Sequence, residues 1–199
     1  MKISLILNSY RVALISTLLI GLGSSAWAGP ILVVGHKNPD SDSIISAISL
    51  AYLKSQQGTP AIAVAQGKPN PETEFVLNYF ALQAPPIVST VAGNQVVLVD
   101  HNTYTQAPDD IKAAKIIGII DHHNLGGIVT EDPISVLLEP VGSTNTIIWE
   151  LYQRAGVSIP SSIAGGMLSA ILSDTLAFKS PTTTDLDRKA AQSLAVTSH

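Results

Sequence analysis

The chain has 199 residues, of which 46% are hydrophobic and 13% charged, with a net charge of −4 and no cysteine. This apolar content can build a hydrophobic core, so a mainly disordered chain is excluded. The acidic balance argues against non-specific binding to nucleic acid, which needs a basic face. Without cysteine there are no disulfides, thiolate nucleophiles or sulfur-bound metals, so any metal must be held by His, Asp and Glu.

Residues 1–28 have the pattern of a secretory signal peptide. Lys2 and Arg11 provide a basic start, 12–22 is an apolar run, and small residues lead up to Ala28. Cleavage is predicted after Ala28, and the location is then periplasmic or secreted. The apolar run is shorter than the roughly 20 residues of a membrane span. An uncleaved anchor or a wrongly chosen start codon is the alternative interpretation.

The remaining chain alternates apolar strand patterns with helical patterns. Branched apolar residues at 31–34 indicate a buried strand, and Ile44, Ile45 and Ile48 then recur at helical spacing. In chain order the predicted elements are strand 31–34, a helix from Ser41 or Ser43 to Gly58, strand 61–65, helix 72–82, strand 95–99, short helix 108–114, strand 115–120, extended edge segment 134–138, and helices 143–155, 161–172 and 184–198.

This alternation predicts an α/β fold, with a mostly parallel sheet that carries helices on both faces. The predicted domain covers residues 29–199. No Gly or Pro follows the last helix, so the chain is expected to be cut inside this element, with a further part missing downstream.

Acidic and imidazole side chains follow three of the predicted strands. Because loops at the carboxyl ends of parallel strands share one edge of the sheet, we expect these side chains to converge. They include four of the five histidines of the chain. The residues are His36, Asp40 and Asp42 after the first strand, Asp100 and His101 after the third, Asp121, His122 and His123 after the fourth, and in addition Asp174 near the end of a helix.

Such a cluster is most readily explained by bound cations. Carboxylates that are brought together repel one another, so they either take up protons or bind metal. Oxygen and imidazole ligands suit manganese, iron, cobalt, zinc or magnesium. Asp40 and Asp42 can serve neighbouring ions, while Gly35 is predicted to let the chain turn off the strand and Pro39 to fix the backbone.

Each residue also has an ordinary structural interpretation when taken alone. Asp121 is a candidate helix cap, a single buried histidine is more often a core residue than a ligand, and Asp174 could face solvent. The joint placement at strand ends favours the metal site.

The motifs of this cluster resemble the manganese-dependent, family II inorganic pyrophosphatases, which belong to the DHH phosphoesterase superfamily. The paired histidines after a strand mark the superfamily, and the NPDSDS form favours the pyrophosphatase branch over the nuclease branch. The motifs are GHKNPDSDS (35–43), VDHN (99–102), IDHHN (120–124), EPVGSTNT (139–146) and SAILSDTLAFKSPTTTD (169–185).

The resemblance implies a ligand set and a catalytic residue. Asp100 corresponds to a carboxylate that bridges two metal ions, most often manganese, with cobalt or magnesium as alternatives. His123 corresponds to the catalytic histidine that contacts the substrate phosphate and protonates the leaving group. Lys179 is a weaker candidate for phosphate binding, and His101 and Asp121 are expected to orient ligands. The metal ligands implied are His36, Asp40, Asp42, Asp100, His122 and Asp174.

The implied reaction is hydrolysis of inorganic pyrophosphate to two phosphates by a hydroxide that bridges two metals. The resemblance also implies a C-terminal domain that carries a basic Ser-Arg-Lys-Lys segment and closes over the substrate, and we expect this chain to lack it. Two divalent ions are balanced by four aspartates, and only Lys37 and Lys179 lie within the motifs. We therefore expect metal binding with much reduced turnover.

Other functions stay open at this stage. A DHH-type phosphoesterase or exonuclease could use the same centre on short oligonucleotides or polyphosphate. A non-catalytic remnant could bind metal, or dock on a partner that supplies the missing lid. A purely structural role is disfavoured, because buried carboxylates without a ligand are costly. The expected partner is pyrophosphate, with no nucleic acid, no membrane after signal cleavage, and a homodimer as an ordinary assembly.

Overall fold

The computed structural model describes residues 29–199. The predicted signal peptide and its cleavage site therefore lie outside the described residues. Within 29–199 the elements in chain order are β1 Ile31–Val34, α1 Ser41–Gln56, β2 Ala61–Val64, α2 Pro71–Tyr79, β3 Gln95–Val99, a 3₁₀-helix at Ile111–Ala113, β4 Lys115–Asp121, β5 Ser135–Leu138, α3 Thr144–Ala155, α4 Ser161–Asp174 and α5 Asp185–Thr197.

The five strands form one parallel sheet in the order β2-β1-β3-β4-β5. The predicted α/β fold with a parallel sheet is confirmed, and the extended segment at 134–138 is its edge strand β5. None of the helices within residues 29–199 has the length and apolar composition needed to cross a lipid bilayer.

The two faces of the sheet are covered differently. Side chains alternate along each strand, so Ile31 and Val33 of β1 point to one face and Leu32 and Val34 to the other. The first face packs against α1 and α3, and α2, α4 and α5 pack on other helices in the same larger hydrophobic core. The second face is covered by the 3₁₀-helix, including the buried Ile111, and by loop residues. None of the α-helices within residues 29–199 contributes to this second hydrophobic cluster, whereas helices were predicted on both faces.

Helix boundaries follow local capping chemistry. Asp40 caps α1 by accepting a hydrogen bond from the backbone of Ser43, 3.0 Å away.

The predicted short helix over 108–114 is wrong in extent, since only a 3₁₀ turn forms there. The side chain of Asp110 instead accepts hydrogen bonds from Thr90 and from the backbone of Val91, which ties this segment to the preceding loop.

Candidate metal centre

The sheet order itself places the predicted site residues. From β1 the chain crosses to β2 on one side of the sheet, and β3 then returns to the other side of β1. The carboxyl ends of β1 and β3 therefore flank the point where the connections diverge, the usual position of a ligand site in an open parallel sheet. His36 follows β1 and Asp100 follows β3 at this point.

Asp100 lies at the centre of the cluster. Its side chain is buried, and its two carboxylate oxygens face two different histidines. Oδ2 lies 3.4 Å from Nε2 of His36, whereas Oδ1 lies 3.4 Å from Nε2 of His122. This is the arrangement expected of a carboxylate that bridges two cations.

The first ligand group consists of His36, Asp40 and Asp100. His36 Nε2 lies 3.5 Å from Oδ1 of Asp40. The other ring nitrogen, Nδ1, donates to the carbonyl oxygen of Lys37 at 2.7 Å. Because this bond fixes the ring orientation, the Nε2 lone pair is directed at the carboxylates when the imidazole is neutral.

The second ligand group consists of Asp42, Asp100, His122 and Asp174. Nε2 of His122 lies 3.8 Å from Asp42 and 3.6 Å from Asp174, which is the last residue of α4. Nδ1 of His122 donates to the carbonyl oxygen of Val141 at 3.0 Å. Nε2 is buried and has no hydrogen-bond partner within residues 29–199, so it is an orphaned polar atom that a cation would satisfy.

The amino end of α3 holds the carboxylate of Asp42. Asp42 accepts hydrogen bonds from the hydroxyl of Ser143 at 2.6 Å, the backbone of Thr144 at 2.7 Å and the side-chain amide of Asn145 at 2.8 Å. The hydroxyl of Thr144 donates to Asp100 at 2.9 Å. No role was predicted for these residues, although Ser-Thr-Asn before an apolar helix is typical of a helix cap whose N–H groups bind anions.

His123 lies beside the second ligand group, with its Nδ1 3.8 Å from Oδ1 of Asp100, and Asp121 fixes its orientation. Nδ1 of His123 donates to Oδ1 of Asp121 at 2.8 Å, and the same oxygen accepts from the backbone of His122 and His123. The side chain of His123 is half-exposed. Asp121 is thus not a helix cap but a buried acceptor, and Asn102 donates to its second oxygen.

Two predicted residues lie away from the ligand groups. His101 is buried with Nδ1 bonded to the carbonyl oxygen of Val99 at 2.8 Å, and it makes no hydrogen bond to a candidate ligand within the described part of the chain. Lys179 is exposed and pairs with none of the cluster carboxylates among residues 29–199. Their predicted roles in orienting ligands and binding phosphate stay predictions.

The protein environment protonates both ligand histidines when no cation is bound. Burial alone lowers the pKa of His36, but the hydrogen bonds of its ring with Asp100 and Asp40 outweigh burial and raise the pKa to about 11. Burial also lowers the pKa of His122, but Asp100 and Asp42 outweigh this effect and raise the pKa to about 9. Without a bound metal, both imidazole rings are therefore protonated near neutral pH, and a cation would have to displace these protons.

Two of the carboxylates, Asp100 and Asp174, have raised pKa values because they are buried next to other negative charges. Burial together with the charges of Asp42 and Asp100 raises the pKa of Asp174 to about 11. Burial and the charge of Asp42 also raise the pKa of Asp100 to about 6. A divalent cation would relieve this repulsion and restore the ionised carboxylates.

The donor set fits divalent cations of the manganese type. The ligands are carboxylate and imidazole only, which suits manganese, cobalt, zinc and magnesium. Two atoms bound to one ion at about 2.1 Å lie roughly 3.0–3.4 Å apart, depending on the coordination angle. The observed separations of 3.4–3.8 Å around His36 and His122 need only small side-chain rotations to match.

Gly35 is required by close packing and not by a turn. A Cβ atom on Gly35 would lie 2.0 Å from Oγ and 2.6 Å from the backbone oxygen of Ser43. Gly35→Ala is therefore expected to lower the free energy of unfolding of the metal-free protein by about 1–3 kcal/mol, because the strand end and α1 must separate. Urea unfolding measures this, with Gly127→Ala as control, since nothing lies within 4 Å of that site. Equal stability of the two variants would contradict the packing argument.

Comparisons with known proteins agree with this geometry. The chain matches the DHH family, N-terminal domain, over residues 30–171. It is 49% identical over 168 residues to a Streptococcus mutans protein that carries the name probable manganese-dependent inorganic pyrophosphatase, covering 83% of this chain and 54% of that one. An Enterococcus faecalis protein of the same name is 49% identical over 167 residues, with the same coverage. The chain thus spans about half the length of the curated relatives it matches.

Solved structures show the same fold. A Methanococcus jannaschii protein that carries the name putative family II inorganic pyrophosphatase superposes with a TM-score of 0.79 and 45% identity, over 84% of this chain and 56% of that chain. An exopolyphosphatase-related protein from Bacteroides fragilis gives a TM-score of 0.67 at 16% identity, over 85% of this chain and 53% of the other, and is similar in fold alone. From the sequence match over most of residues 29–199, supported by this fold, the chain belongs to the DHH family.

Proposed function

We propose that residues 29–199 hold two divalent cations, manganese in the first place, and hydrolyse inorganic pyrophosphate to two phosphates. The single observation that carries the proposal is the position of Asp100, whose two oxygens face the two ligand groups on opposite sides. The names of the similar proteins from Streptococcus mutans and Enterococcus faecalis support manganese and pyrophosphate over other metals and substrates.

The two ligand groups provide two cation positions. His36 and Asp40 would hold the first cation, and Asp42, His122 and Asp174 the second, with Asp100 shared between them. Divalent cations at such positions lower the pKa of water and neutralise phosphate charge. The protein supplies the fixed geometry, because both histidines are oriented through Nδ1 by backbone carbonyl oxygens.

His123 is suited to deliver the proton that the leaving phosphate needs. Its Nδ1 is held by Asp121, which leaves Nε2 of the half-exposed ring to face a substrate. The hydrogen bond to Asp121 raises the pKa of His123, so the imidazolium form persists toward neutral pH. A protonated His123 can donate from Nε2 to the departing oxygen and regain a proton from water.

The described residues provide few cations for the charges of pyrophosphate. Lys37 follows His36 but already pairs with Asp109 at 2.5 Å, and Lys179 is exposed. Two divalent cations would be balanced by Asp40, Asp42, Asp100 and Asp174, so the centre is close to neutral before substrate arrives. Since clamping of the substrate contributes strongly to such reactions, we expect weak turnover.

A substrate panel tests the proposal. Phosphate release is measured with manganese and with a chelator, on pyrophosphate, tripolyphosphate and a short oligonucleotide. The proposal predicts manganese-dependent hydrolysis that is fastest on pyrophosphate and well below that of the longer Streptococcus mutans relative. Faster cleavage of the oligonucleotide or tripolyphosphate would favour the broader phosphoesterase function. Metal binding without any hydrolysis would indicate a non-catalytic metal-binding domain.

Proton release on manganese binding is a further expected result. Metal ligands must be deprotonated, whereas in the metal-free protein the pKa is raised to about 11 for His36, about 9 for His122 and about 11 for Asp174. Binding near pH 7 must then expel protons, so manganese affinity rises as pH rises. Calorimetry in buffers of different ionisation enthalpy measures the number released. Affinity that is independent of pH between about 6 and 8 would contradict this assignment of ligands.

A further inference from the structure

Asp187 is a buried carboxylate on α5 that belongs to neither ligand group. It accepts hydrogen bonds from the backbone and hydroxyl of Thr184, both at 2.7 Å, as part of the cap of its own helix. It also accepts from the backbone of Gly142 at 2.9 Å and from the hydroxyl of Thr146 at 2.6 Å. Capping of α5 explains the first pair of bonds, whereas the second pair holds the start of α3.

Both anchors belong to residues 141–146, the 141–146 segment, which contacts the second ligand group at several points. Its first carbonyl, from Val141, accepts from Nδ1 of His122. Its cap residues donate to Asp42, and the hydroxyl of Thr144 donates to Asp100. The 141–146 segment thus fixes the orientation of three of the four side chains in that group.

The 141–146 segment makes contact near Asp174, the fourth member of the group, through the packing of Gly142 against Thr175. A Cβ on Gly142 would lie 2.5 Å from Cγ2 of Thr175 and 3.0 Å from Oδ2 of Asp187, so Gly142 is closely enclosed between them. Thr175 follows Asp174 directly and is fully buried. A shift of Gly142 therefore disturbs the end of α4 as well.

The first ligand group is anchored elsewhere. His36 is oriented by the carbonyl oxygen of Lys37, and Asp40 by the backbone of Ser43. Neither anchor belongs to the 141–146 segment. Within residues 29–199, no hydrogen bond joins the 141–146 segment to His36 or Asp40, and the shared Asp100 connects this group to Asp187 through Thr144.

We propose that Asp187 is a positioning residue for the second cation position, acting through Gly142 and Thr146 on Asp42, His122 and Asp174. The proposal rests on the metal centre proposed above and adds a residue to it. It predicts an asymmetry that a general role in folding does not, because loss of Asp187 should weaken one cation position and spare the other.

This asymmetry can be measured in two parent variants, each of which keeps only one of the two proposed cation positions intact. His36→Gln leaves the second ligand group intact, and His122→Gln leaves the first. Bound Mn²⁺ is counted from the loss of the free-ion EPR signal during titration. Adding Asp187→Asn should weaken manganese binding about 10–100-fold in the first background and less than about twofold in the second, the usual size for residues behind metal ligands.

Asparagine is a suitable probe because it keeps the shape of Asp187 while its amide turns one acceptor into a donor. The groups around the side chain are donors, so the amide nitrogen would oppose the N–H of Gly142 or Thr184. Asp185→Asn is the matched control, since Asp185 is exposed in the same first turn of α5. We expect it to leave both affinities unchanged.

A second pair of variants covers the case in which Asp187→Asn does not fold. Thr146→Val removes one donor to Asp187, and Thr146→Ser retains the hydroxyl. Valine should weaken the second position selectively, and serine should restore it. Equal weakening in both backgrounds, or no weakening in either, would overturn the role of Asp187. A parent protein that binds no manganese would contradict the proposed function itself, and the proposal with it.

Discussion

In the Asp100→Asn variant, we expect fewer than two manganese ions per chain and about a thousandfold slower hydrolysis of pyrophosphate. Asparagine retains one neutral oxygen where Asp100 offers an anionic oxygen to each ligand group. Charge stabilisation by metal ions contributes several kcal/mol, and about 1.4 kcal/mol corresponds to a tenfold rate. Manganese titration and phosphate release measure the two effects.

The fold should tolerate this substitution. Asp100 has a φ of 63°, in the left-handed region that asparagine adopts more readily than most residues. Asp132→Asn is the control, since Asp132 is exposed and pairs with Lys115 at 3.1 Å, at the opposite end of β4. If Asp100→Asn still bound two ions with unchanged affinity, the bridging role of Asp100 would be wrong.

The His123→Gln variant is expected to keep its manganese while turnover falls by about 10²–10⁴, the usual contribution of general acid catalysis. Glutamine can still donate a hydrogen bond, but it cannot transfer a proton. Because Asp121 raises the pKa of His123, activity of the parent protein should decline as pH rises through that pKa. The variant should lack this alkaline decline.

Manganese titration of the same variant separates two roles for His123. The atoms of Asp100, His122 and His123 lie close enough to form a third ligand group. Retention of both ions in His123→Gln supports the role in proton transfer. Loss of an ion would show that His123 is a ligand, and the assigned catalytic role would then be incorrect.

The ligand residues could be predicted from sequence because a simple rule connects them. His36, Asp100 and His122 each follow a strand, and the carboxyl ends of parallel strands meet at one edge of the sheet. Asp174 could be included from its place near the end of an apolar helix, but its assignment as a ligand came from the resemblance to pyrophosphatases, since a helix end gives no such rule. Its position beside His122 depends on how α4 packs.

The residues behind the ligands could not be predicted in this way. The bond from Ser143 to Asp42 joins residues 101 positions apart, and neither residue has a periodic signal that points to the other. Asp187 occupies the third position of an ordinary capping box with Thr184. Its contact with Gly142 arises from tertiary packing, which the sequence pattern does not reveal. Gly35 was expected to provide a turn, whereas the structure shows that close approach of Ser43 requires glycine.

The most direct test of the metal centre is anomalous diffraction from crystals of the protein grown with manganese. We expect two peaks on either side of Asp100, about 3.5–4 Å apart, one next to His36 and the other next to His122. Peaks that contact neither histidine, or a single ion that leaves one ligand group without metal at saturating manganese, would contradict it.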